Sequence, residues 1–438
     1  MKIEKLNLKI GIHPDENKYT KNSKIEEIPL PQKVVLPLSQ HTGAPSKSIV
    51  NIGDKVKTGQ KIAELGGKIS SFLHASISGT VVNIGKFLHP VLLKEIDSIT
   101  IESDKNDTKI ISNKVYNDYF RYSPEELIDV IKQSGIVGLG GAAFPTYVKL
   151  SPSKSCSIDT VILNGCECEP YLTCDDALMI EKPKEIITGL KIIMHILNAD
   201  KCIIAIEDNK KEAIEKFKKI ILNEPKIFLR MLKTKYPQGA EKQLINVTLN
   251  RVVPSGGIPL DIGVVVHNVG TAFAIYNAIF NGIPLYSRVI TVSGKGVEKP
   301  GNYLVRIGTP VSFIAEFCKM KDDTKKVIIG GPMMGISQIS LDVPVIKGTS
   351  GILFLTQEEI RKDEYQVCIK CGKCINVCPM NLLPNCLSIY AEKGMFDVAK
   401  NYFPLDCIEC GCCSYVCPAN RPIVGHIKLI KSKILSKN

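Results

Sequence analysis

The sequence predicts a multidomain α/β protein, and three observations carry that prediction. Short β-branched runs alternate with turns over residues 34 to 101, strands alternate with helices over 160 to 232, and two cysteine-dense runs lie beyond residue 367. The bulk properties agree: 438 residues, 44% hydrophobic and 23% charged, suit a globular chain of roughly two to four domains. No apolar stretch approaches the roughly 20 residues that span a bilayer. The richest, "IPLDIGVVVHNVGTAFAIYNAIF", is broken by Asp261, His267, Asn268 and Asn277 and reads as buried core. The opening "MKIEKLNLKIGIHP" lacks the continuous apolar segment of a secretory signal, so a cytoplasmic location is expected. Net charge is +12, mostly dispersed lysine; with no Trp and 6% aromatic residues, no nucleic-acid partner is expected.

Taken in chain order, "KSIVNIGDKVKTGQKIAEL" and "ASISGTVVNIG" give a barrel-sandwich pattern of the lipoyl type, with Gly53-Asp54 as a hairpin signal. No lysine occupies an acyl-carrier hairpin tip, so a packing or docking role is expected. The next segment, "SPEELIDVIKQSG", is a helix with Ser123 as N-cap, Pro124 at the first position and Glu126 closing a capping box; it stops at Gly135. "GLGGAAFPT" follows, where Gly138, Gly140, Gly141 and Ala142 permit close backbone approach to a phosphate or a flat ring, with Lys149 as a nearby point charge. Alone, such a turn serves structure as readily as a cofactor. A strand over 160 to 163 then empties into "NGCECEP", which carries Asn164, Glu167 and Glu169. "PKEIITGLKIIMHILNAD", "CIIAIE", "KKEAIEKFKKIILN" and "IFLRMLKT" complete a βαβαβ pattern, which binds ligands at the C-terminal ends of its strands.

The cysteine runs share the form C-x2-C-x2-C-x3-C-P: Cys368, Cys371, Cys374 and Cys378, then Cys407, Cys410, Cys413 and Cys417. A tight turn with three thiolates can wrap one cubane while the fourth reaches the neighbouring one. One 4Fe-4S cluster is therefore expected on Cys368, Cys371, Cys374 and Cys417, and a second on Cys407, Cys410, Cys413 and Cys378. Zinc ribbons use paired cysteines and have no need of the third thiol or the trailing proline. The segment between the runs has helical periodicity around Leu387, Tyr390 and Ala391, then Phe396 and Ala399, which predicts a helical two-cluster module. Cys386 and Cys412 fall outside the pattern.

"GLGGAAFPTYVKL" and "NGCECEPYLTCDD" resemble the flavin and NADH site of the complex I flavoprotein subunit, GRGGAGFPTGxK and NADExEP. "GIHP", "LPLSQHTGAPSKSIVNIGDKVKTGQKIAE", "HASISGTV", "YPQGAEKQLI" and the cysteine runs further resemble, in order, the RnfC family of the Rnf ion-translocating oxidoreductases, over residues 11 to about 420. The resemblance implies FMN and NAD(H) as cofactors beside the two 4Fe-4S clusters. It places Gly138, Gly140, Gly141 and Lys149 at the FMN phosphate and ring edge, and Asn164 and Glu167 by the isoalloxazine. It puts Phe144 and Glu169, the catalytic candidates, at the nicotinamide. Gly239 and Glu241 match a second glycine-glutamate loop, and Asn268 a flavin-contacting asparagine. The sequence departs from the complex I pattern at Leu139, Ala143 and Cys166.

The implied domains are a barrel-sandwich hybrid over 1–110, a Rossmann-like FMN/NADH-binding domain over 111–284, a soluble-ligand-binding β-grasp domain over 285–335, and a helical two-cluster ferredoxin domain over 350–438. Glycines and prolines from Gly330 to Gly351 read as a linker between the last two. Electron exchange between NADH and ferredoxin, through a flavin that converts a two-electron donor into one-electron steps, is the implied function. Membrane-embedded and ferredoxin-like Rnf subunits are the implied partners, at the cytoplasmic face of the cell membrane. An RnfC-like cobalamin reductase and an iron-sulfur docking module without flavin are the alternatives.

Overall fold

The computed structural model describes residues 5–110, 115–153, 156–361 and 364–436. At its centre lies a parallel sheet in the order Lys5–Leu6, Ile227–Leu232, Lys201–Glu207, Thr160–Gly165, Val264–Asn268. Lys201–Glu207, Thr160–Gly165 and Val264–Asn268 are largely apolar and buried because both faces are covered, whereas Ile227–Leu232 leaves Phe228 exposed. Val161 and Leu163 join one core with the helix Pro183–Leu197, whereas Ile162 joins another with the helix Glu241–Leu249. After Thr160–Gly165 the chain builds the sheet to one side, then crosses to Val264–Asn268 on the other. That reversal opens a crevice at the C-terminal ends of these two strands, where Asn164 and Asn268 are partners in register.

The expected helices and strands form here, with Ser123 and Glu126 closing the capping box of Pro124–Gln133. The barrel-sandwich strands form a four-stranded and a three-stranded antiparallel sheet. Gly53-Asp54 makes a turn, with the Asp54 carboxylate accepting from the Asn51 amide, but the strands on either side of it join different sheets. It is therefore a crossing point between sheets and not a hairpin.

Two segments lie elsewhere than the sequence suggests. Ahead of the barrel, Lys5–Leu6 extends the central parallel sheet and Ile25–Glu27 pairs with Gly301–Arg306. The supposed linker is also part of a sheet: Ile336–Ser337 pairs with Thr324–Ile329, and Gly351–Thr356 inserts between Thr324–Ile329 and Ser287–Ser293. Its glycines serve close approach, since a Cβ on Gly335 would lie 2.2 Å from the Gly331 carbonyl oxygen. The cysteine runs follow, packed among the helices Pro384–Glu392, Phe396–Lys400 and Ile423–Leu435, with Leu387, Ala399, Ile427 and Ile430 buried.

The helix Pro183–Leu197 crosses Val269–Asn281 so closely that a Cβ on Gly189 would sit 1.9 Å from the Ala272 carbonyl oxygen. Because Asn268 caps that second helix, the contact also sets the crevice. Gly189→Ala is expected to destabilise the protein by about 1–3 kcal/mol, the usual range for overpacking. A thermal melt coinciding with that of the unaltered chain would contradict this.

Candidate functional site

The glycine turn closes on itself through the Gly138 amide, which donates to the Phe144 carbonyl at 2.8 Å. Gly140, Gly141 and Ala142 are exposed at its tip, while Phe144 is half-buried. Gly141 has φ +109°, which favours glycine, and a Cβ on Gly140 would press on the Asn268 side chain at 3.3 Å. The setting of two of the departures is visible here. Ala143 adopts φ +48°, the left-handed region that glycine enters more easily, and the buried Leu139 packs towards Gly270.

The "NGCECEP" loop is held by a buried ammonium. Lys18 Nζ donates to the carbonyls of Glu167 at 3.0 Å, Glu169 at 2.8 Å and Leu172 at 2.5 Å. Asn164 Nδ2 donates to the Gly239 carbonyl at 2.9 Å, which joins this loop to "YPQG". The Glu167 carboxylate accepts from the amides of Asp175 and Asp176 at 2.8 and 3.2 Å, at the start of the helix Cys174–Glu181. Cys166 is fully buried in the core against the sheet, its thiol pushed well up by burial, so this third departure has left the crevice.

Glu169 faces inward. Its carboxylate accepts from the Met333 and Met334 amides at 3.1 and 2.9 Å, and Tyr236 Oη lies 3.4 Å away. Burial outweighs these donors and pushes its pKa up to about 7. Lys149 Nζ pairs with Glu241 at 2.6 Å and donates to the Val266 carbonyl at 2.8 Å. Asn268 donates to Asp175 at 2.6 Å and accepts from the Gly270 amide at 2.8 Å. Burial, then the Glu167 charge, raises Asp175. The structure thus gathers Gly138 to Lys149, Asn164, Glu167, Gly239, Glu241 and Asn268 around one crevice, with Glu169 turned inward behind it.

Both cysteine runs contribute to each of two cavities. The cysteines lining one are Cys368, Cys371, Cys374 and Cys417; those lining the other are Cys378, Cys407, Cys410 and Cys413, with Cys412 beside them. Each cavity is lined by three cysteines of one run and the last cysteine of the other, a donor set that fits a cubane with four thiolate ligands. Cations rim them: Arg421 lines the first, and Lys431 donates to the Cys407 carbonyl at 2.6 Å beside the second. The second cavity abuts the crevice loops. Tyr236 Oη donates to the Cys410 carbonyl at 2.7 Å, and Cys410 and Cys412 pack with Tyr236, Cys168 and Met333. Cys412 is therefore a buried packing thiol, while Cys386 is half-buried.

Sequence reasoning overlooked Lys18, Tyr236 and the Met333–Met334 turn. A lone lysine in "GIHPDENKYT" gives no signal of its target, and "GGPMMG" looks like punctuation until its glycines are seen against Glu169. A Cβ on Gly331 would lie 2.2 Å from the Glu169 Oε2.

Family models match the chain in four places: a Nuo51 FMN-binding domain over 131–277, an RnfC barrel-sandwich hybrid domain over 6–106, a 4Fe-4S dicluster domain over 360–418 and an SLBB domain over 289–337. The C component of the proton-translocating ferredoxin:NAD(+) oxidoreductase complex of Clostridium ljungdahlii is 48% identical over 97% of this chain and 93% of its own length. The C component of the Na(+)-translocating ferredoxin:NAD(+) oxidoreductase complex of Acetobacterium woodii is 43% identical over 100% and 99%. Among solved structures, a chain of an NAD+-reducing NiFe-hydrogenase superposes with TM-score 0.50 at 16% identity in the H2-reduced state. The match covers 73% of this chain and 65% of that one, less than two thirds of the hydrogenase chain, and shows a shared fold.

The raised Glu169 carboxyl has a measurable consequence. It binds its proton more tightly in the folded chain, so its stabilising contribution is complete below the unfolded value of 4.5 and is lost as pH rises through about 7. Across that window the protein is expected to lose up to about 3 kcal/mol relative to Glu169→Gln. Denaturation at pH 5 and pH 8 checks this; parallel pH profiles for the two proteins would exclude it.

Proposed function

The chain belongs to the RnfC family of ferredoxin:NAD(+) oxidoreductase components, and from that membership we propose that it is the electron-input subunit of an ion-translocating complex. It exchanges electrons between NAD(H) and, through partner subunits, ferredoxin. The observation that carries this reading is the pair of cysteine-lined cavities, each drawing on both runs, one of them packed on the loops of the crevice. Kinship over nearly the whole chain favours it over the cobalamin-reductase and docking-module alternatives.

Gly138, Gly140, Gly141 and Ala142 are proposed to receive the FMN phosphate, with Lys149 supplying charge at the ring edge. Glu241 fixes where that charge sits. Asn164, Glu167, Gly239 and Asn268 would border the ring, and Phe144 and Glu169 the nicotinamide side. Glu169 acts there through its grip on the Met333–Met334 turn, because both carboxylate oxygens already accept hydrogen bonds. A bound flavin accepts an electron pair from nicotinamide and releases it singly, as one-electron clusters require. The Tyr236 bond to Cys410 favours the cluster on Cys378, Cys407, Cys410 and Cys413 as the nearer one, and that on Cys368, Cys371, Cys374 and Cys417 as the farther.

The proposed division keeps the four modules read from sequence, with the β-grasp unit carried on to Thr356. Among the described residues no helix is long and apolar enough to cross a membrane. Peripheral attachment at the cytoplasmic face, through membrane-embedded and ferredoxin-like subunits, is the corresponding proposal.

Anaerobically purified protein is expected to hold about eight irons and eight acid-labile sulfides per chain; stoichiometric zinc without labile sulfide would refute the cluster assignment. Cys417→Ala should damage the cluster on Cys368, Cys371 and Cys374 while NADH still bleaches the flavin. Electron paramagnetic resonance after NADH addition tests this, and normal reduction of both clusters would overturn the crossed ligation. Lys149→Glu should strip flavin and leave the iron content intact, as absorbance and iron analysis of one sample would reveal.

A further inference from the structure

Five hydrogen bonds tie the carbonyl oxygens of Gly135, Leu139, Ala142 and Ala143 to residues outside the turn. Gly135 O accepts from Lys347 Nζ at 2.6 Å and from Ser71 Oγ at 3.1 Å. Leu139 O accepts from Arg288 Nη2 at 3.2 Å. Ala142 O and Ala143 O accept from Thr42 Oγ1 and the Thr42 amide at 2.9 and 3.2 Å. Between these tied carbonyls, the N–H groups of Gly140, Gly141 and Ala142 lie at an exposed tip, where among the described residues none has an acceptor within the chain. Such outward-facing amides form an anion-binding concavity.

Arg288 stands out among the donors. It is 5% exposed and, among the described residues, forms no ion pair; Asp175 and the Cys174 thiol lie only within electrostatic reach. Its remaining bonds go to the Lys347 carbonyl at 2.5 Å and the Val289 carbonyl at 3.4 Å. Burying a guanidinium among carbonyls alone is unfavourable unless its charge serves something nearby. The peptide group it touches is the one that joins Leu139 to Gly140, so a charge on the Leu139 oxygen strengthens the Gly140 N–H as a donor. Lys347 aims the guanidinium, but burial pushes its own ammonium down to about 7, whereas arginine keeps its charge when buried.

We propose that Arg288 is a positioning residue for phosphate recognition, polarising from behind the Leu139–Gly140 peptide whose N–H faces the phosphate of FMN. The inference rests on the FMN reading of the crevice. The dinucleotide's pyrophosphate has the same chemistry, and the test separates the two.

The experiment titrates flavin-depleted full-length protein, with its clusters retained, with FMN and with riboflavin, which lacks the phosphate; flavin fluorescence reports binding. Arg288→Met should weaken FMN by about tenfold or more, the scale of a lost charge-assisted interaction, and riboflavin by less than about twofold. Arg288→Lys should fall between, since a single ammonium cannot serve both carbonyls with the planar fork geometry. Equal losses for the two flavins, or none, would overturn the proposal. So would a raised KM for NADH with the preference for FMN unchanged, which would assign the effect to the pyrophosphate. If Arg288→Met fails to retain its clusters, Arg288→Lys decides by the same two titrations. An unaltered chain that binds neither flavin would instead defeat the FMN reading itself.

Discussion

The carboxylate of Glu169 is the junction on which the relation between crevice and clusters depends. It sits in the "NGCECEP" loop, receives the amides of Met333 and Met334 from the turn after Thr324–Ile329, and lies beside Tyr236, whose hydroxyl reaches the Cys410 carbonyl. One hydroxyl proton cannot serve both neighbours fully, and the shorter bond, 2.7 Å against 3.4 Å, goes to Cys410. A carboxyl that holds its proton to about pH 7 is compatible with that, because in its acid form it can donate towards Tyr236. The closeness of the junction requires glycine at two places. A Cβ on Gly331 would strike Glu169, and one on Gly411 would come within 2.7 Å of the Met333 carbonyl oxygen.

Around this junction several buried charged groups of the crevice are held by partners. Lys18 gathers three carbonyls of one loop, Glu167 takes two amides at a helix start, and the buried Glu207 and Lys210 pair with each other at 3.5 Å. Such networks specify one arrangement strongly, since removing a member leaves a desolvated group behind. The Lys149–Glu241 pair differs, because it is more exposed and lies at the mouth of the crevice. A cation there can exchange a carboxylate for a ligand at modest cost, whereas the interior charges cannot. The distribution of burial thus separates residues that build the crevice from those free to meet a ligand.

Much of this was legible in the sequence wherever spacing alone encodes geometry. The C-x2-C-x2-C-x3-C-P runs fix which thiols share a turn, and the cavities gather Cys417 with the first run and Cys378 with the second as that spacing implies. The helix from Pro124 and the strands from Thr160 to Leu232 follow from capping and periodicity. What escaped notice was long-range. Lys18 lies about 150 residues from the carbonyls it binds, and Arg288 is 149 from Leu139; a lone basic side chain has no period by which its partner can be inferred. The strand Gly351–Thr356 was hidden for a different reason. The glycines and prolines ahead of it suggest a flexible connection, but they are where backbones touch.

The crossed arrangement of cysteines has consequences for folding as well as for electron flow. Neither run encloses a cavity by itself, and the two are separated by the helices Pro384–Glu392 and Phe396–Lys400, which pack on Ile423–Leu435. Cys374, Cys413 and Cys417 belong to the same buried cluster as Leu387, Ile427 and Ile430. Bringing Cys417 to its partners therefore requires the helical core to be formed, and binding energy at either cavity is also folding energy for that core. Because Gln243 donates to the Pro379 carbonyl at 2.9 Å and Tyr236 to Cys410, each run is also fastened to the crevice domain. With clusters held in these two cavities as proposed, their assembly, closure of the helical core and docking onto the crevice would be coupled steps, set by the same contacts.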